Sequence, residues 1–310
     1  LTKVVALGGG HGLAATLAAL RQLTQEITAI VTVADNGGSS GRLREEFPIF
    51  PPGDLRMALT ALCADDNWGR TWAQILQHRF ESNGELNGHA MGNLLLASMW
   101  NAGDDPVVAL DRVGELLKVI GRVLPMAAVA LDIEATFKTS TGRIVVRGQT
   151  EVATAKGHIQ SLRIIPEDPP ARAEALAAVA DADWITMGPG SWFSSVIPHL
   201  LVPAQLQALK STAAKKILIL NLDASSQSQG EEYAGSTPEQ HLEFFHHYAP
   251  GLTVDYCLVD QSIVRDEHAL REAASTLGSE IVVADIRKAP GSIHHDAEKL
   301  ALHLGHIFSR

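Results

Sequence analysis

The stretch that most restricts what this chain can become lies at its start, Lys3-Val-Val-Ala-Leu-Gly-Gly-Gly-His-Gly-Leu13. An apolar run, Val4 to Leu7, passes directly into glycines and then into a segment whose leucines, Leu13, Leu17 and Leu20, recur at helical spacing. That order predicts strand, tight turn and helix. Glycine suits a turn where the backbone takes positive φ or lies against a ligand, and a helix start offers unpaired N–H groups and the positive end of its dipole. Gly8, Gly9, Gly10, His11 and Gly12 are therefore a candidate seat for phosphate. A second apolar run, Ile27 to Val33, leads into Asp35, Asn36, Gly37, Gly38, Ser39, Ser40, Gly41 and Arg42, and shortly afterwards into Pro51-Pro-Gly-Asp54-Leu-Arg56. One βαβ unit thus carries two glycine-rich loops, two carboxylates, hydroxyls and the arginines Arg42, Arg44 and Arg56 at the ends of adjacent strands. The expected occupant is a phosphorylated ligand.

The first loop does not decide the matter alone, because glycine turns also follow the first strand of doubly wound proteins that bind nothing there. It departs from the dinucleotide fingerprint, with glycines at 8, 10 and 12 and Leu13 where the third glycine belongs, and the lysine-containing phosphate loop is absent. The second loop shifts the balance. Its run from Asn36 to Gly41 has no evident packing purpose and many small donors.

With 310 residues, 46% of them hydrophobic and 19% charged, the chain can bury a substantial core. The expectation is a single Rossmann-like α/β domain over 1–310, a doubly wound, mostly parallel sheet with a small β-rich insertion at about 126–168. A formal net charge of −10 argues against a nucleic-acid polymer as partner, since that needs clustered positive charge. Cys63 and Cys257 lack metal-ligand spacing and read as buried free thiols of a reducing cytosol. No apolar run approaches the ~18 residues of a membrane span, so the expected location is cytoplasmic.

Further along, Asp54 to Cys63 and Trp68 to Phe80 read as helices, the latter turning Trp72, Ile75 and Leu76 inward. His89 and Asn93 stand at the mouth of the helix Leu94 to Trp100; taken alone, Asn93 reads as a cap and His89 as a surface residue. Val123 to Pro125 begins a different texture, and alternating segments such as Arg143 to Arg147 and Ile159 to Ile165 predict antiparallel strands. The strand Asp183 to Met187 ends in Gly188-Pro-Gly190-Ser191, a candidate second contact on the same ligand, and Lys216 to Leu220 ends at Asn221. Thr237, Pro238 and Gln240 spell a capping box. Tyr256 to Val259 and Ile281 to Ala284 supply the last strands, and the closing helix presents Ala297, Ala301, Leu304 and Phe308. The pairs His246-His247 and His294-His295 diverge on any regular element and read mostly as surface residues.

In order and setting, Gly8 to Gly12, Val33 to Gly41, Pro52-Gly-Asp54, Gly88-His89 with Gly92-Asn93, Gly188 to Ser191 and Asn221 resemble the motifs of the YvcK-like family, whose members are named as gluconeogenesis factors. That family is similar to the 2-phospho-L-lactate transferases (CofD-like), and the resemblance spans essentially the whole chain. It implies a Rossmann-like core, often dimeric, that binds UDP-sugars such as UDP-N-acetylglucosamine and supports gluconeogenic growth and cell shape through peptidoglycan-precursor control, with no established reaction. In the transferase relatives paired aspartates hold Mg²⁺ against phosphates, and Asp35 and Asp54 fall in the corresponding places. Two departures stand out. The loop usually reading Gln-Pro-Gly-Glu-Thr is here Gln227-Ser-Gln-Gly-Glu-Glu232, and the usual Arg-His-Asp is His294-His295-Asp296.

The leading expectation is a UDP-sugar-binding regulatory protein with no cofactor required, its diphosphate on the first turn and on Ser39 to Arg42. The alternative is an Mg²⁺-dependent phospho-group transferase with Asp35 and Asp54 as metal ligands. A third reading, an NAD-dependent oxidoreductase with Asp35 on the ribose, conflicts with the glycine spacing.

Overall fold

The computed structural model describes residues 1–222 and 237–310. Its strands are β1 (Val4–Gly8), β2 (Ile27–Val31), β3 (Arg122–Pro125), β4 (Asp132–Thr139), β5 (Gly142–Arg147), β6 (His158–Ile165), β7 (Trp184–Met187), β8 (Lys215–Ile219), β9 (Tyr256–Asp260) and β10 (Glu280–Ala284). Seven form one parallel sheet in the order β10-β9-β8-β7-β1-β2-β3, and β5-β4-β6 form a separate antiparallel sheet. The inner strands of the large sheet are apolar and buried almost throughout, as strands covered on both faces must be. β4 instead alternates half-buried with buried positions, the mark of a sheet with one packed face.

The helix Gly10–Leu20 lies against the helices Pro52–Ala61 and Ala297–Phe308, while Ala173–Ala180 and Pro203–Ser211 pack together. Leu13, Leu17, Leu20, Leu55 and Leu59 are at most 1% exposed, each contributing about 1.5–3 kcal/mol of burial. The expected doubly wound α/β architecture is therefore present, with the small β-rich insertion beside it. Thr237, Pro238 and Gln240 form the expected capping box. Cys63 and Cys257 are free and buried. Among the described residues, no helix is long and apolar enough to cross a membrane.

Three local expectations are corrected. Val123 to Pro125 belongs to the large sheet as its edge strand β3, tolerating Pro125 there because an edge needs no outward donor. In the helix Asn67–Gln77, Leu76 is buried but Ile75 is 39% exposed, so the apolar stripe is wider than the face that packs. The last helix buries Leu300, Ala301, Leu304 and Ile307, leaving Ala297 and Phe308 half-buried.

Candidate functional site

In the large sheet the chain winds one way from β1 through β2 to β3 and the other way from β7 to β10, so the winding reverses between β1 and β7. Ligands of open parallel sheets bind at such a reversal, beyond the carboxyl ends of the strands. Both glycine turns emerge there. Gly9 is the N-cap of Gly10–Leu20 and supplies no capping side chain, which leaves the helix's first N–H groups for other partners. Gly12 must lack a Cβ, because one would sit 2.1 Å from the carbonyl oxygen of Pro189. The Thr16 hydroxyl donates to the Gly188 carbonyl at 3.3 Å, tying the same two turns together.

Between the turns lies a cleft of about 190 Å³, reached by His11, Gln149, Ser191, Ser194, Asn221 and His294 among others. Larger hollows of about 320 and 410 Å³ lie by Lys3 and Lys118 respectively. Those hollows flank the opposite, amino ends of the strands and lack glycine turns, so position rather than volume singles out the smaller cleft.

Asp54 stands in the first turn of Pro52–Ala61, and its carboxylate accepts a hydrogen bond from the Gly10 N–H. A Cβ on Gly9 would come within 2.6 Å of Asp54 Oδ2, and one on Gly53 within 3.1 Å of Asp35 Oδ2. Burial, then the neighbouring Asp35 charge, pushes the Asp54 carboxyl well above the usual carboxylate range; Gly10 N–H and Arg56 pull the other way. Asp54 is half-buried beside the Gly9–Gly10 turn and is not among the residues that line the cleft. Arg56 is buried, donates to Gln77 Oε1, and is lowered to about 10 by burial and by Arg79, so it stays cationic at neutral pH. Two facing carboxylates that repel each other suit a divalent cation, and Mg²⁺ needs only one or two of them plus phosphate oxygens. Among the described residues no cluster of three or more metal-ligating side chains exists, so phosphate and water would have to complete the shell.

The second loop is used differently from the expectation. Ser39 Oγ lies 2.8 Å from His89 Nδ1 and accepts from Asn93 Nδ2 at 3.0 Å, all three residues being buried. His89 is thus no surface residue, and Asn93 is no cap; the N-cap of Met91–Asn101 is Ala90. Ser40 Oγ accepts from Gly53 N–H at 3.0 Å. Arg42 donates to the carbonyls of Glu85 and Asn87, and Asn36 bonds to Glu151 and to the Thr150 N–H. Gly41 lies so close to the Asn36 carbonyl that a Cβ would sit at 1.9 Å. Gly37 N–H donates to Asp35 Oδ1 at 2.8 Å, and Gly38 takes φ +48°. The loop accordingly shapes the floor that carries Asp35 and Asp54, while Gly9 to Gly12, Gly190, Ser191 and Asn221 face the cleft. The stretch 227–232 lies outside the described residues.

Several residues of the site carry no sequence signal. His199 Nε2 donates to the Gly8 carbonyl at 3.2 Å, and its Nδ1 accepts from Gln205 Nε2 at 2.8 Å, a tautomer assigned from these partners. Burial lowers His199 to about 4, so it is neutral. His295 is also buried, against the expected surface position, while His294 is exposed with its ring 5.8 Å from that of His11. Burial, then His294 and Arg56, lower His11. Gln149 arrives from the insertion.

The family model described as 2-phospho-L-lactate transferase CofD matches residues 4–298. A Mycobacterium tuberculosis protein named "Putative gluconeogenesis factor" is 49% identical, over 99% of this chain and 90% of its own length. The "Gluconeogenesis factor" of Halalkalibacterium halodurans is 38% identical over 86% of this chain and 78% of its own length. A crystal structure of a UPF0052 family member from Bacillus halodurans superposes with a TM-score of 0.85 at 34% identity, covering 98% of each chain.

Proposed function

The chain belongs to the family described as 2-phospho-L-lactate transferase CofD, and from that premise we propose that it binds a UDP-sugar at the β1/β7 reversal. One observation carries the reading: a helix start whose N-cap, Gly9, brings no capping side chain, and the glycine turn at Gly188–Ser191, face a single cleft. Backbone N–H groups at such a helix start bind a diphosphate without a lysine. Asp35 and Asp54 would repel that diphosphate unaided, and Mg²⁺ held by the two would offset the charge. Through this binding the protein supports growth on gluconeogenic carbon, the role that its relatives' names carry, and acts on cell shape and peptidoglycan precursors. It works in the cytoplasm as a homodimer. Calorimetry with UDP-N-acetylglucosamine, with and without Mg²⁺, tests the binding; no heat at millimolar ligand rejects it.

A second reading is favoured by the Asp35–Asp54 pair beside the Gly10 turn: Mg²⁺-dependent transfer of a phosphorus-containing group. Turnover of a nucleotide-activated acid that Asp54→Asn abolishes supports it. A broad donor panel without turnover removes it.

A further inference from the structure

Asn36 in the second glycine loop and the start of the short helix Gln149–Thr154 hold each other across the cleft rim. Asn36 Nδ2 donates to Glu151 Oε2 at 2.9 Å, and Asn36 Oδ1 accepts from Thr150 N–H at 3.1 Å. Gly148 N–H donates to the Ile133 carbonyl at 2.7 Å, and Val152 is buried beneath. Gly148 itself takes φ +107°, and a Cβ there would stand 2.0 Å from Glu151 Oε2 and 2.5 Å from Asn36 Nδ2. The backbone on both sides of Gln149 is therefore pinned. Its own side chain is half-buried in the wall of the cleft, and no hydrogen bond joins its amide to another described residue.

The wall that Gln149 enters has a definite chemistry. Opposite the Gly9–Gly12 turn it offers the amide of Asn221 and the hydroxyl of Ser194, and no lysine, arginine, aspartate or glutamate lines the cleft among the described residues. A neutral amide both donates and accepts, which matches a hydroxyl or acylamino group and adds little to a phosphate already served by a helix start. The pinned backbone sets where that amide can reach, so only its side-chain torsions remain to be ordered on binding. Resting on the UDP-sugar reading above, we propose that the antiparallel insertion recognises the glycosyl end of the ligand through Gln149. Gln149 is on this account a specificity-determining residue, and Asn36 positions it.

The test is calorimetry with UDP, UDP-glucose and UDP-N-acetylglucosamine on wild type, Gln149→Ala and Gln149→Leu, each checked for an unchanged thermal midpoint. The expected result is about tenfold weaker binding of the UDP-sugars, with UDP affinity unchanged. Asn36→Ala repeats that pattern. Equal losses for UDP and the UDP-sugars, or no loss for either, overturn the role of Gln149 while leaving the binding reading intact. Wild type that binds none of the three removes the binding reading itself, and this inference with it.

Discussion

His199 donates to the carbonyl of Gly8 at 3.2 Å, so a residue 191 positions downstream holds the last peptide of β1 as it enters the Gly8–Gly12 turn. Gln205 fixes the ring from behind through Nδ1. His199→Leu removes one of two donors to the Gly8 carbonyl, which keeps the Thr32 N–H at 2.9 Å, and one of two acceptors of Gln205 Nε2, which keeps the residue-199 backbone carbonyl at 3.2 Å. Two hydrogen bonds worth about 0.5–1.5 kcal/mol each are lost, and urea denaturation should show a loss on the order of their sum. Ligand affinity should fall beyond the stability effect, since the Gly8–Gly12 turn loses one of the contacts that hold its entry in place. A variant of unchanged affinity would remove the positioning role.

Burial lowers His199, His241 and His295 from an ordinary value of 6.5 to about 4. Between those values the unfolded chain binds protons that the native state refuses, so stability is full above about pH 6.5 and drains away as pH falls toward 4. Each group contributes up to about 1.4 kcal/mol per pH unit. Asp54 has the opposite sign, because its raised carboxyl takes its proton in the native state first. Three groups against one set the direction: the urea midpoint should drop on going from about pH 7 to about pH 5. A flat or rising midpoint contradicts this.

Asp54 carries a penalty whenever it is ionised beside Asp35 without a cation. The penalty is absent below the ordinary carboxylate value, grows as pH rises, and is complete above the raised native value. Asp54→Asn should therefore raise the thermal midpoint of the metal-free protein at neutral pH by on the order of a few °C. The same substitution should abolish any stabilisation by added Mg²⁺. A lowered midpoint in scanning calorimetry would show that the Gly10 hydrogen bond outweighs the repulsion.

Glycine substitutions rank by what a methyl group meets. At Gly12 it meets the Pro189 backbone at 2.1 Å, which cannot step aside as a flexible side chain can; at Gly38 it meets nothing within 4 Å and suffers only from φ +48°. Gly12→Ala should cost about 1–3 kcal/mol and impair ligand binding, whereas Gly38→Ala should cost about 1 kcal/mol. Chemical denaturation of the pair decides, and the reverse order would place the β1/β7 contact elsewhere.

The glycine turns, the inner strands and the capping box at Thr237 were legible because their causes are local: apolar runs, helical spacing, and a side chain three residues from its partner. β3 was not, since Arg122–Pro125 is four residues long and ends in proline, and only pairing with β2 makes it a strand. His89 and Asn93 were misplaced for a related reason. Their partner, Ser39, comes from another helix at separations of 50 and 54 residues, which no local pattern records. Asn36 carries a polar signal that points to a ligand, and nothing local to it records that its amide bonds to the insertion. His199, Gln205 and Gln149 act through tertiary placement alone. The fold is thus written in short-range patterns, and the cleft's walls in contacts that exist only after folding.

The reversal between β1 and β7 bears on biosynthesis. β1 is made before β2 and finds it within one short connection, yet its other edge pairs with β7, far later in the chain. Until β7 arrives β1 shows a naked apolar margin, the sort of edge that recruits stray neighbours. Fragments ending before Trp184 should accordingly precipitate, and the first half of this molecule depends for its solubility on the second being made.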